Sequence, residues 1–360
     1  MFSQFELKIM NSLIEQAGLM RGRTGKNPVV AAAIINKHEL ISEGIHQKEG
    51  SDHAEIIAIK NAGHKCKGAT LLVTLEPCTH HGKTPPCNQA IINAKFKKVV
   101  YAVKDPNPNV AQLKGDKLLE AAGIEVLSGC CEREAIALNE VFFKRHTKYK
   151  SFVTLKMAQS LDGKIAINDN TTKYITSKSS LRQVHKLRRE ADAILVGIGT
   201  VLDDDPMLNI RYNLLEEGYK NPIKIILDTH LRTPTDARII TENIDTEIVI
   251  FTKKKKGDKH LFPSYVTIIE SETLSIKSVL KVCFNRGLYN IFVEGGPQIY
   301  KSFLESGEAD KAVIFIAPSN GKKNDVTSPF QFNEHYCSEK LEDVTMIRFE
   351  NDVCISGLIK

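Results

Sequence analysis

The chain has 360 residues, of which 42% are hydrophobic and 26% are charged, and its formal net charge is +6. This length suits two domains, and the composition excludes a disordered or fibrous protein. No apolar run approaches the roughly 18 residues that a membrane-spanning helix needs, and the amphipathic start of the chain lacks a secretion signal, so we expect a cytoplasmic protein. The one dense basic run, residues 253–256, has no interleaved aromatic residues. We therefore expect a solvated loop there and no nucleic-acid partner.

The first half of the chain alternates between two hydrophobic patterns. Short continuous apolar runs predict buried strands at 27–35, 70–75 and 97–103, and helical spacing predicts helices at 54–63, 87–95 and 115–123. This alternation indicates a sheet covered by helices on both faces. A further helix ends in a basic, polar stretch, so we place the boundary between two domains, 1–147 and 148–360.

The second half is also predicted to be α/β. Two strand-like runs flank a turn at Asp162–Gly163, and a helix follows from Ser177, with Ser179 or Ser180 able to help at its start. Further strands are predicted at 192–200, 222–228, 247–252, 266–270, 289–296 and 311–318, and helices at 272–287 and 298–306. The stretch 344–359 has the pattern of an antiparallel pair around Asn351–Asp352.

Potential metal ligands concentrate in the first half. His53 and Glu55 stand at the start of a predicted helix, Cys78 follows a predicted strand, and Cys87 opens the next helix. One imidazole and two thiolates supply three ligands for tetrahedral zinc and leave the fourth position open, as in catalytic sites. Glu55 is placed to move protons between water and a leaving amine. The pattern H-x-E followed by P-C is that of zinc deaminases, although eight residues, rather than two, separate the cysteines here.

Three other interpretations of these residues compete. A disulfide between Cys78 and Cys87 is disfavoured in a reducing compartment. A structural zinc site with His80 or His81 as the fourth ligand leaves Glu55 without a role. Ordinary core residues are the third interpretation, which the specificity of the combined motif disfavours. We favour the catalytic zinc.

The segments HAE (53–55), VTLEPCTHHGKTPPC (73–87) and DPNPNV (105–110) together resemble the deaminase domain of the bifunctional riboflavin-biosynthesis deaminase/reductase family. The long insertion between the cysteines, ending in TPPC, is typical of that family. The resemblance implies that His53, Cys78 and Cys87 hold zinc and that Glu55 shuttles the proton. It also implies a pocket for a pyrimidine with a phosphoribosyl arm, lined by Asn27, His46, Lys83, Asp105 and Asn107.

A second candidate site lies at VEGGPQIY, residues 293–300. A predicted strand ends at Glu294, two glycines follow, and Pro297 opens a helix whose free amides suit a dinucleotide pyrophosphate. A tight turn without a ligand is the alternative. The segment ILVGIGTVL is a weak match to a Rossmann fingerprint, because the third glycine would fall at Leu202.

Four ordered segments of the second half resemble the reductase domain of the same family: 155–166, 172–177, 184–211 and 293–300. That domain is similar to dihydrofolate reductase in fold and uses NADPH. The resemblance implies cofactor contacts at Ala158, Tyr174, Thr200, Asp204, Gly296, Pro297 and Gln298. It implies substrate contacts at Lys156, Thr172, Arg188, Leu208, Arg211 and Glu294. Arg188 and Arg211 also offer planar guanidinium groups that suit a phosphate. We interpret Asp203–Asp205 as a turn rather than as a second metal site.

We therefore expect an α/β protein with a cytidine-deaminase-like three-layer domain containing a mixed sheet, and a dihydrofolate-reductase-like domain. The expected function is hydrolytic deamination of 2,5-diamino-6-(5-phosphoribosylamino)pyrimidin-4-one with zinc, then NADPH-dependent reduction of its ribosyl group, in a homo-oligomer. Two rivals are a nucleic-acid or free-base deaminase with an accessory nucleotide-binding domain and a non-enzymatic zinc-and-nucleotide-binding module. The absence of Trp disfavours a strand-binding channel, and the second rival has no use for Glu55.

Overall fold

The computed structural model describes residues 2–79, 86–111, 114–165, 175–253, 261–320 and 341–360. The chain separates into two units, Met1–Tyr149 and Lys150–Lys360. The boundary expected after residue 147 stays a prediction, and residue 147 lies within the helix Glu140–Lys148. Within the described ranges, no helix is both long enough and apolar enough to cross a bilayer.

The N-terminal unit is built on a mixed five-stranded sheet. Its strands are β1 (Ala31–Asn36), β2 (Glu39–Ile45), β3 (Thr70–Val73), β4 (Lys98–Tyr101) and β5 (Glu125–Ser128). Its α-helices are α1 (Gln4–Gly18), α2 (Ala54–Ala62), α3 (Cys87–Asn93), α4 (Pro108–Ala111), α5 (Gly115–Ala121), α6 (Glu132–Leu138) and α7 (Glu140–Lys148). The strand order is β2-β1-β3-β4-β5, in which β1 runs antiparallel to both neighbours and β3, β4 and β5 are parallel.

Helices cover both faces of this sheet, as the sequence predicted. On one face α1 packs Met10 and Leu13 against strand residues such as Ala33, and on the other face Ala58 of α2 and Ile91 of α3 form a second core. Alternate residues of β1 enter the two cores, which is why its sequence reads as a continuous apolar run.

Strand β2 was not predicted from the sequence. Its sequence, ELISEGI, mixes charged and apolar residues and lies at the edge of the sheet. Gly44 of β2 lies beneath the start of α2, where an added Cβ would come within 2.2 Å of the carbonyl oxygen of Ala54. A side chain at residue 44 would therefore push away the helix turn that carries His53 and Glu55.

The C-terminal unit is built on a nine-stranded sheet with the order β10-β9-β8-β7-β11-β6-β12-β14-β13. The strands are β6 (Phe152–Ser160), β7 (Ala193–Gly197), β8 (Ile223–Leu227), β9 (Ile248–Thr252), β10 (Val266–Glu270), β11 (Asn290–Val293), β12 (Lys311–Ala317), β13 (Leu341–Phe349) and β14 (Asp352–Ile359). The helices are α8 (Lys178–Glu190), α9 (Ile198–Asp204), α10 (Arg238–Thr241), α11 (Ile276–Asn285) and α12 (Pro297–Ser306). All strand pairs are parallel except those that β14 makes with β12 and β13.

Three details of this unit differ from the sequence prediction. The strand expected at 192–200 ends at Gly197, and residues 198–200 belong to helix α9. Ser177 itself caps α8, since its Oγ accepts the backbone N–H of Ser180, while the Ser180 hydroxyl donates to Asp352 at 2.6 Å. The final turn is one residue earlier than expected, because Asp352 already pairs with Phe349 as the first residue of β14. The second strand-like run after Gly163 and most of the basic run lie outside the described residues.

Candidate active sites

A cluster of one histidine and two cysteines lies at the ends of three elements of the N-terminal unit. His53 precedes α2 as its N-cap, Cys78 follows β3, and Cys87 is the first residue of α3. The Nδ1 atom of His53 lies 3.2 Å from Sγ of Cys87 and 3.5 Å from Sγ of Cys78. All three potential ligand atoms lie within 4.8 Å of one another, and no other such group occurs within the described ranges.

The geometry of this cluster fits zinc. Tetrahedral zinc, with metal–nitrogen distances of about 2.1 Å and metal–sulfur distances of about 2.3 Å, separates its ligand atoms by about 3.6–3.8 Å. Cys78 and Cys87 are both free thiols, so the disulfide interpretation is wrong for this structure. His80, His81 and Lys83 lie outside the described residues. Zinc, when bound by such a donor set, supplies a Lewis acid that activates water at neutral pH.

The two thiols share one proton, so that Cys78 ionises readily while Cys87 stays protonated. The hydrogen bond from Cys87 lowers the pKa of Cys78 to about 4, with help from His53 and against the effect of burial. Cys87 keeps the shared proton, and the hydrogen bond to Cys78 together with burial raises its pKa. A divalent metal that binds both sulfurs displaces this proton, so metal binding is coupled to proton release.

Glu55 lies in the first turn of α2, beside the cluster. Its side chain is buried, with 4% of the residue exposed. Burial raises its pKa, the negative charge of Cys78 acts in the same direction, and His53 acts against them. A carboxyl group in this position exchanges protons with groups at the cluster rather than with bulk solvent.

Two further predicted residues surround the cluster. The buried His46 donates from Nδ1 to the carbonyl oxygen of Asp52, and its ring lies edge-on to that of His53, with 5.6 Å between centroids. Burial raises the pKa of Asp105 to about 6, and the charges of Glu76 and Cys78 add to this rise. The Glu76 carboxylate accepts the backbone N–H of Asp105 at 3.1 Å. Sequence reasoning missed Glu76, although it stands two residues before Cys78 in the same motif.

The structure places the two predicted asparagines in turns. The backbone N–H of Asn107 donates to the Asp105 side chain at 2.8 Å, which ties Asn107 to the buried carboxylate. Asn27 is exposed and closes a turn with Thr24, and none of the described contacts joins it to the metal-ligand cluster. Contacts of Asn27 and Asn107 with a substrate stay predictions.

The C-terminal unit contains a cleft of about 1120 Å³. The carboxyl ends of β6, β7, β8 and β11 reach it, and ligands of open parallel sheets bind at such ends. Of the thirteen residues predicted for this half, the cleft is lined by Lys156, Ala158, Arg188, Thr200, Asp204, Leu208, Arg211, Glu294, Gly296, Pro297 and Gln298. The other two, Thr172 and Tyr174, lie outside the described residues.

A buried ion-pair cluster forms part of the cleft wall. Arg188 binds the Glu294 carboxylate through Nε and Nη2, and its Nη1 donates to the carbonyl oxygen of Asn209 at 3.0 Å. Lys156 lies 3.6 Å from the same carboxylate. Burial would raise the pKa of Glu294, but Arg188 and Lys156 outweigh it and hold that pKa at about 2. Arg188 therefore commits most of its donors to the protein, which leaves it less available to a phosphate than the sequence suggested.

The glycines of the predicted phosphate cradle have different roles. A Cβ at Gly295 or Gly197 would come within 2.7 Å of Ile299, so these two glycines allow α12 to pack closely on the sheet. A Cβ at Gly296 would meet nothing within 4 Å. Gly296 is the N-cap of α12 and offers no side-chain cap. Pro297 has no N–H and the Ile299 N–H donates to the Gly296 carbonyl oxygen, so among the described contacts the Gln298 N–H is the amide of the first turn that is left for a ligand. This arrangement fits the pyrophosphate of a dinucleotide.

The loop after α9 completes the cleft. The turn predicted at Asp203–Asp205 is wrong for Asp203 and Asp204, which form the last turn of α9. Asp205 follows the helix in the left-handed region with φ of 40°, and its side chain accepts the backbone N–H of Arg238 at 2.8 Å. Leu208 also has a positive φ of 53°, a conformation that is costly for a branched residue. The exposed Arg211 guanidinium makes no hydrogen bond or ion pair with any described residue and is available for an anion.

His185 is a residue of this cleft that sequence reasoning missed. It lines the cleft, is only 2% exposed, and its Nδ1 accepts the backbone N–H of Arg211 at 3.0 Å. The available signal was its spacing, because it stands three residues before Arg188 on the same helix and therefore on the same helix face.

Comparison with known proteins identifies the family. The cytidine and deoxycytidylate deaminase zinc-binding region matches residues 4–103, and the RibD C-terminal domain matches residues 151–355. The riboflavin biosynthesis protein RibD of Aquifex aeolicus is 42% identical to this chain over 318 residues, which is 88% of each chain. The chain belongs to the RibD family.

Solved structures of RibD proteins agree with this assignment. Acinetobacter baumannii RibD is 34% identical, with a TM-score of 0.84 and 99% of each chain covered. A Thermotoga maritima protein described as a diaminohydroxyphosphoribosylaminopyrimidine deaminase/5-amino-6-(5-phosphoribosylamino)uracil reductase is 35% identical, with a TM-score of 0.85 and the same coverage.

RibD membership confirms the predicted fold class, a cytidine-deaminase-like unit followed by a reductase unit. The chain is an enzyme of riboflavin biosynthesis with a deaminase and a reductase domain. The predicted cofactors, zinc for the RibD deaminase domain and NADPH for the reductase domain, are likewise confirmed. A nucleic-acid deaminase is not favoured.

Proposed function

We propose that the N-terminal unit hydrolytically deaminates 2,5-diamino-6-(5-phosphoribosylamino)pyrimidin-4-one. We further propose that the C-terminal unit uses NADPH to reduce the ribosyl group of the product, giving 5-amino-6-(5-phosphoribitylamino)uracil. The observation that carries the proposal is the buried Glu55 beside the His53, Cys78 and Cys87 donors, in a chain whose other half holds a dinucleotide-sized cleft. The name of the Thermotoga maritima protein supports the substrate.

In the deaminase unit the protein's task is to bind the ring and move protons. His53, Cys78 and Cys87 would hold the metal, and Glu55 takes a proton from the attacking water and returns one to the leaving amine. Glu55 suits this work because it is sheltered from solvent beside the donors. His46 and Asp105, both buried near the cluster, and Asn107, held by Asp105, would orient the pyrimidine, with Asn27 and Lys83 as further proposed contacts.

In the reductase unit the protein's task is to bind and orient two anionic molecules. The backbone N–H groups of Gly296 and Gln298, with Pro297 between them as a contact without an N–H, would meet the pyrophosphate of NADPH, whose nicotinamide supplies the hydride. Ala158, Tyr174, Thr200 and Asp204 are the other proposed cofactor contacts. The ion-paired Glu294, Arg188 and Lys156 would form a wall for the ribosyl group, with Leu208, Thr172 and Arg211 completing the proposed substrate site.

The proposal is tested with purified, zinc-loaded protein and the diaminopyrimidine substrate. Ammonia should appear with or without NADPH, and NADPH absorbance should fall only after deaminated product has formed. Ammonia release without NADPH consumption would remove the reductase half of the proposal. NADPH consumption without ammonia would remove the deaminase half.

Arg211→Ala is expected to raise the reductase KM for the phosphorylated substrate by about 10–100-fold, because it removes a cleft guanidinium that makes no hydrogen bond or ion pair with any described residue. Deamination by the same chain should stay at the wild-type rate. Steady-state kinetics of both activities on one preparation measure this. Arg286→Ala, which removes an exposed arginine of the same unit that pairs with Glu247 and does not line the cleft, is the matched control and should change KM much less. Equal effects of the two variants would contradict the role of Arg211.

We also propose that the protein is a cytoplasmic homo-oligomer without a nucleic-acid partner. The strand β13 stands at the end of the described strand order and exposes Val344, Met346 and Ile347, a hydrophobic edge of the kind that pairs with another chain. The modest charge and the absence of Trp support a small-molecule substrate rather than a nucleic acid.

A further inference from the structure

One face of helix α8 holds the loop that carries Arg211. Arg182, His185 and Arg188 stand three residues apart on this helix, and each contacts the loop backbone. Arg188 donates to the carbonyl oxygen of Asn209, and Arg182 donates to that of Tyr212, both at 3.0 Å. Between them, Nδ1 of His185 accepts the backbone N–H of Arg211 at 3.0 Å.

The loop needs such support because its conformation is unfavourable for its residues. Leu208, Tyr212 and Asn213 have φ values of 53°, 63° and 55°, in the left-handed region that residues other than glycine rarely adopt. No helix or strand occupies residues 205–222. The Tyr212 ring packs edge-on against the His185 ring, with 5.0 Å between their centroids. His185 thus contacts the backbone of Arg211 and the side chain of the next residue.

His185 differs from Arg182 and Arg188 because it accepts a hydrogen bond from the loop backbone, whereas the two arginines donate hydrogen bonds to it. The backbone N–H of Arg211 requires an acceptor, and a protonated imidazole has none. Burial lowers the pKa of His185 to about 3, and the charges of Arg188, Arg211 and Lys156 act in the same direction, with Glu294 opposing them. The ring is therefore neutral, with its proton on Nε2 and its lone pair on Nδ1 directed at Arg211.

We propose that His185 is a positioning residue of the reductase site, whose Nδ1 fixes the backbone of Arg211 and thereby aims the guanidinium of Arg211 into the cleft. This inference rests on the proposed function of the cleft and adds a residue to it. It assigns His185 to binding of the phosphorylated substrate rather than to the chemical step.

Three variants separate the hydrogen bond from simple packing. The amide oxygen of Asn reaches about as far as Nδ1 of His, and that of Gln reaches about as far as Nε2. His185→Leu and His185→Gln should raise the reductase KM for the phosphorylated substrate by about tenfold, with kcat within about threefold of wild type. His185→Asn should restore KM to within about threefold of wild type. Deamination by the same preparations should be unchanged, which shows that the N-terminal unit is intact, and the retained kcat shows the same for the C-terminal unit.

Two further measurements keep the test independent of turnover. The dissociation constant of ribose 5-phosphate, measured by calorimetry without NADPH, should follow the same order among the variants. In an Arg211→Ala background, His185→Leu should add nothing to KM, because the group that it positions is gone. If His185→Asn is as impaired as His185→Leu, or if the two effects are additive in the double variant, His185 acts only in packing and the proposal is overturned. If wild-type protein reduces no substrate, the proposed reductase function fails, whereas the ribose 5-phosphate series still tests His185.

Discussion

Glu55→Gln is expected to lower the deamination rate by about 10²–10⁴-fold, the range for loss of a general acid–base. Gln keeps the size of the buried side chain but cannot carry a proton between water and the leaving amine. Because the metal donors are His53, Cys78 and Cys87, zinc content should stay at one per chain, and NADPH-dependent reduction should be unchanged. Ammonia release, elemental analysis and NADPH absorbance measure the three quantities on one sample.

The matched control for this variant is Glu39→Gln, which makes the same chemical change at an exposed residue of β2. It should leave both activities at wild-type levels. A Glu55→Gln protein that still deaminates near the wild-type rate refutes the role of Glu55. A protein that loses zinc together with activity shows that Glu55 supports the metal site rather than the proton transfer.

Glu294→Gln is expected to destabilise the C-terminal unit by about 3–5 kcal/mol and to abolish reduction, because it leaves the positive charges of Arg188 and Lys156 buried without a counterion. The neutral amide can accept a hydrogen bond from Arg188 but cannot balance two cations. Denaturant unfolding of the full chain, followed by far-UV circular dichroism and by loss of ammonia release, separates the two units. In the Glu294→Gln protein, ammonia release should persist to a higher denaturant concentration than that at which the C-terminal unit unfolds.

The effect of Glu294→Gln on the unfolding free energy is also expected to depend on pH. The folded pKa of Glu294, about 2, is below the ordinary value for glutamate, so its ionised form stabilises the fold at pH values above about 4.3. This stabilisation is lost as the pH falls from about 4.3 towards about 2. The difference in unfolding free energy between wild type and Glu294→Gln should therefore be constant at neutral pH and narrow at acid pH.

Glu342→Gln is the control for Glu294→Gln. Glu342 pairs with Lys360 in the same unit, but its side chain is 55% exposed. Exposed ion pairs contribute about 0–1 kcal/mol, so this variant should unfold close to the wild type and show no comparable narrowing at acid pH. If the two variants lower the unfolding free energy by similar amounts, burial of the Glu294 ion pairs is not the reason for the large effect.

The sequence alone determined the chemistry of the first site. His53 and Glu55 are two residues apart at a helix start, and Cys78 and Cys87 flank one loop, so local spacing already specified a donor set and a proton carrier. It also determined most strands and helices, because buried parallel strands and amphipathic helices have different apolar periods. Two glycines and a proline at a strand–helix junction also predicted a candidate dinucleotide cradle, whose contacts with a cofactor stay a prediction.

Only the tertiary structure decided which partners those residues have. Strand β2 has a weak pattern of its own and is defined by pairing with β1, and Gly44 matters because α2 lies on it. Arginine is a residue type that often binds phosphate, yet Arg188 is hydrogen-bonded to Glu294, which lies 106 residues away in sequence. In the sequence His185 is an ordinary helix residue, and only the fold brings the backbone N–H of Arg211 within hydrogen-bond distance of its Nδ1. Hydrogen bonds and ion pairs between distant segments depend on how elements pack, and no local spacing encodes that. The zinc donors and Glu55 could be predicted because their residue types, their order and their places at helix starts are characteristic, although the fold is needed to bring His53, Cys78 and Cys87 together.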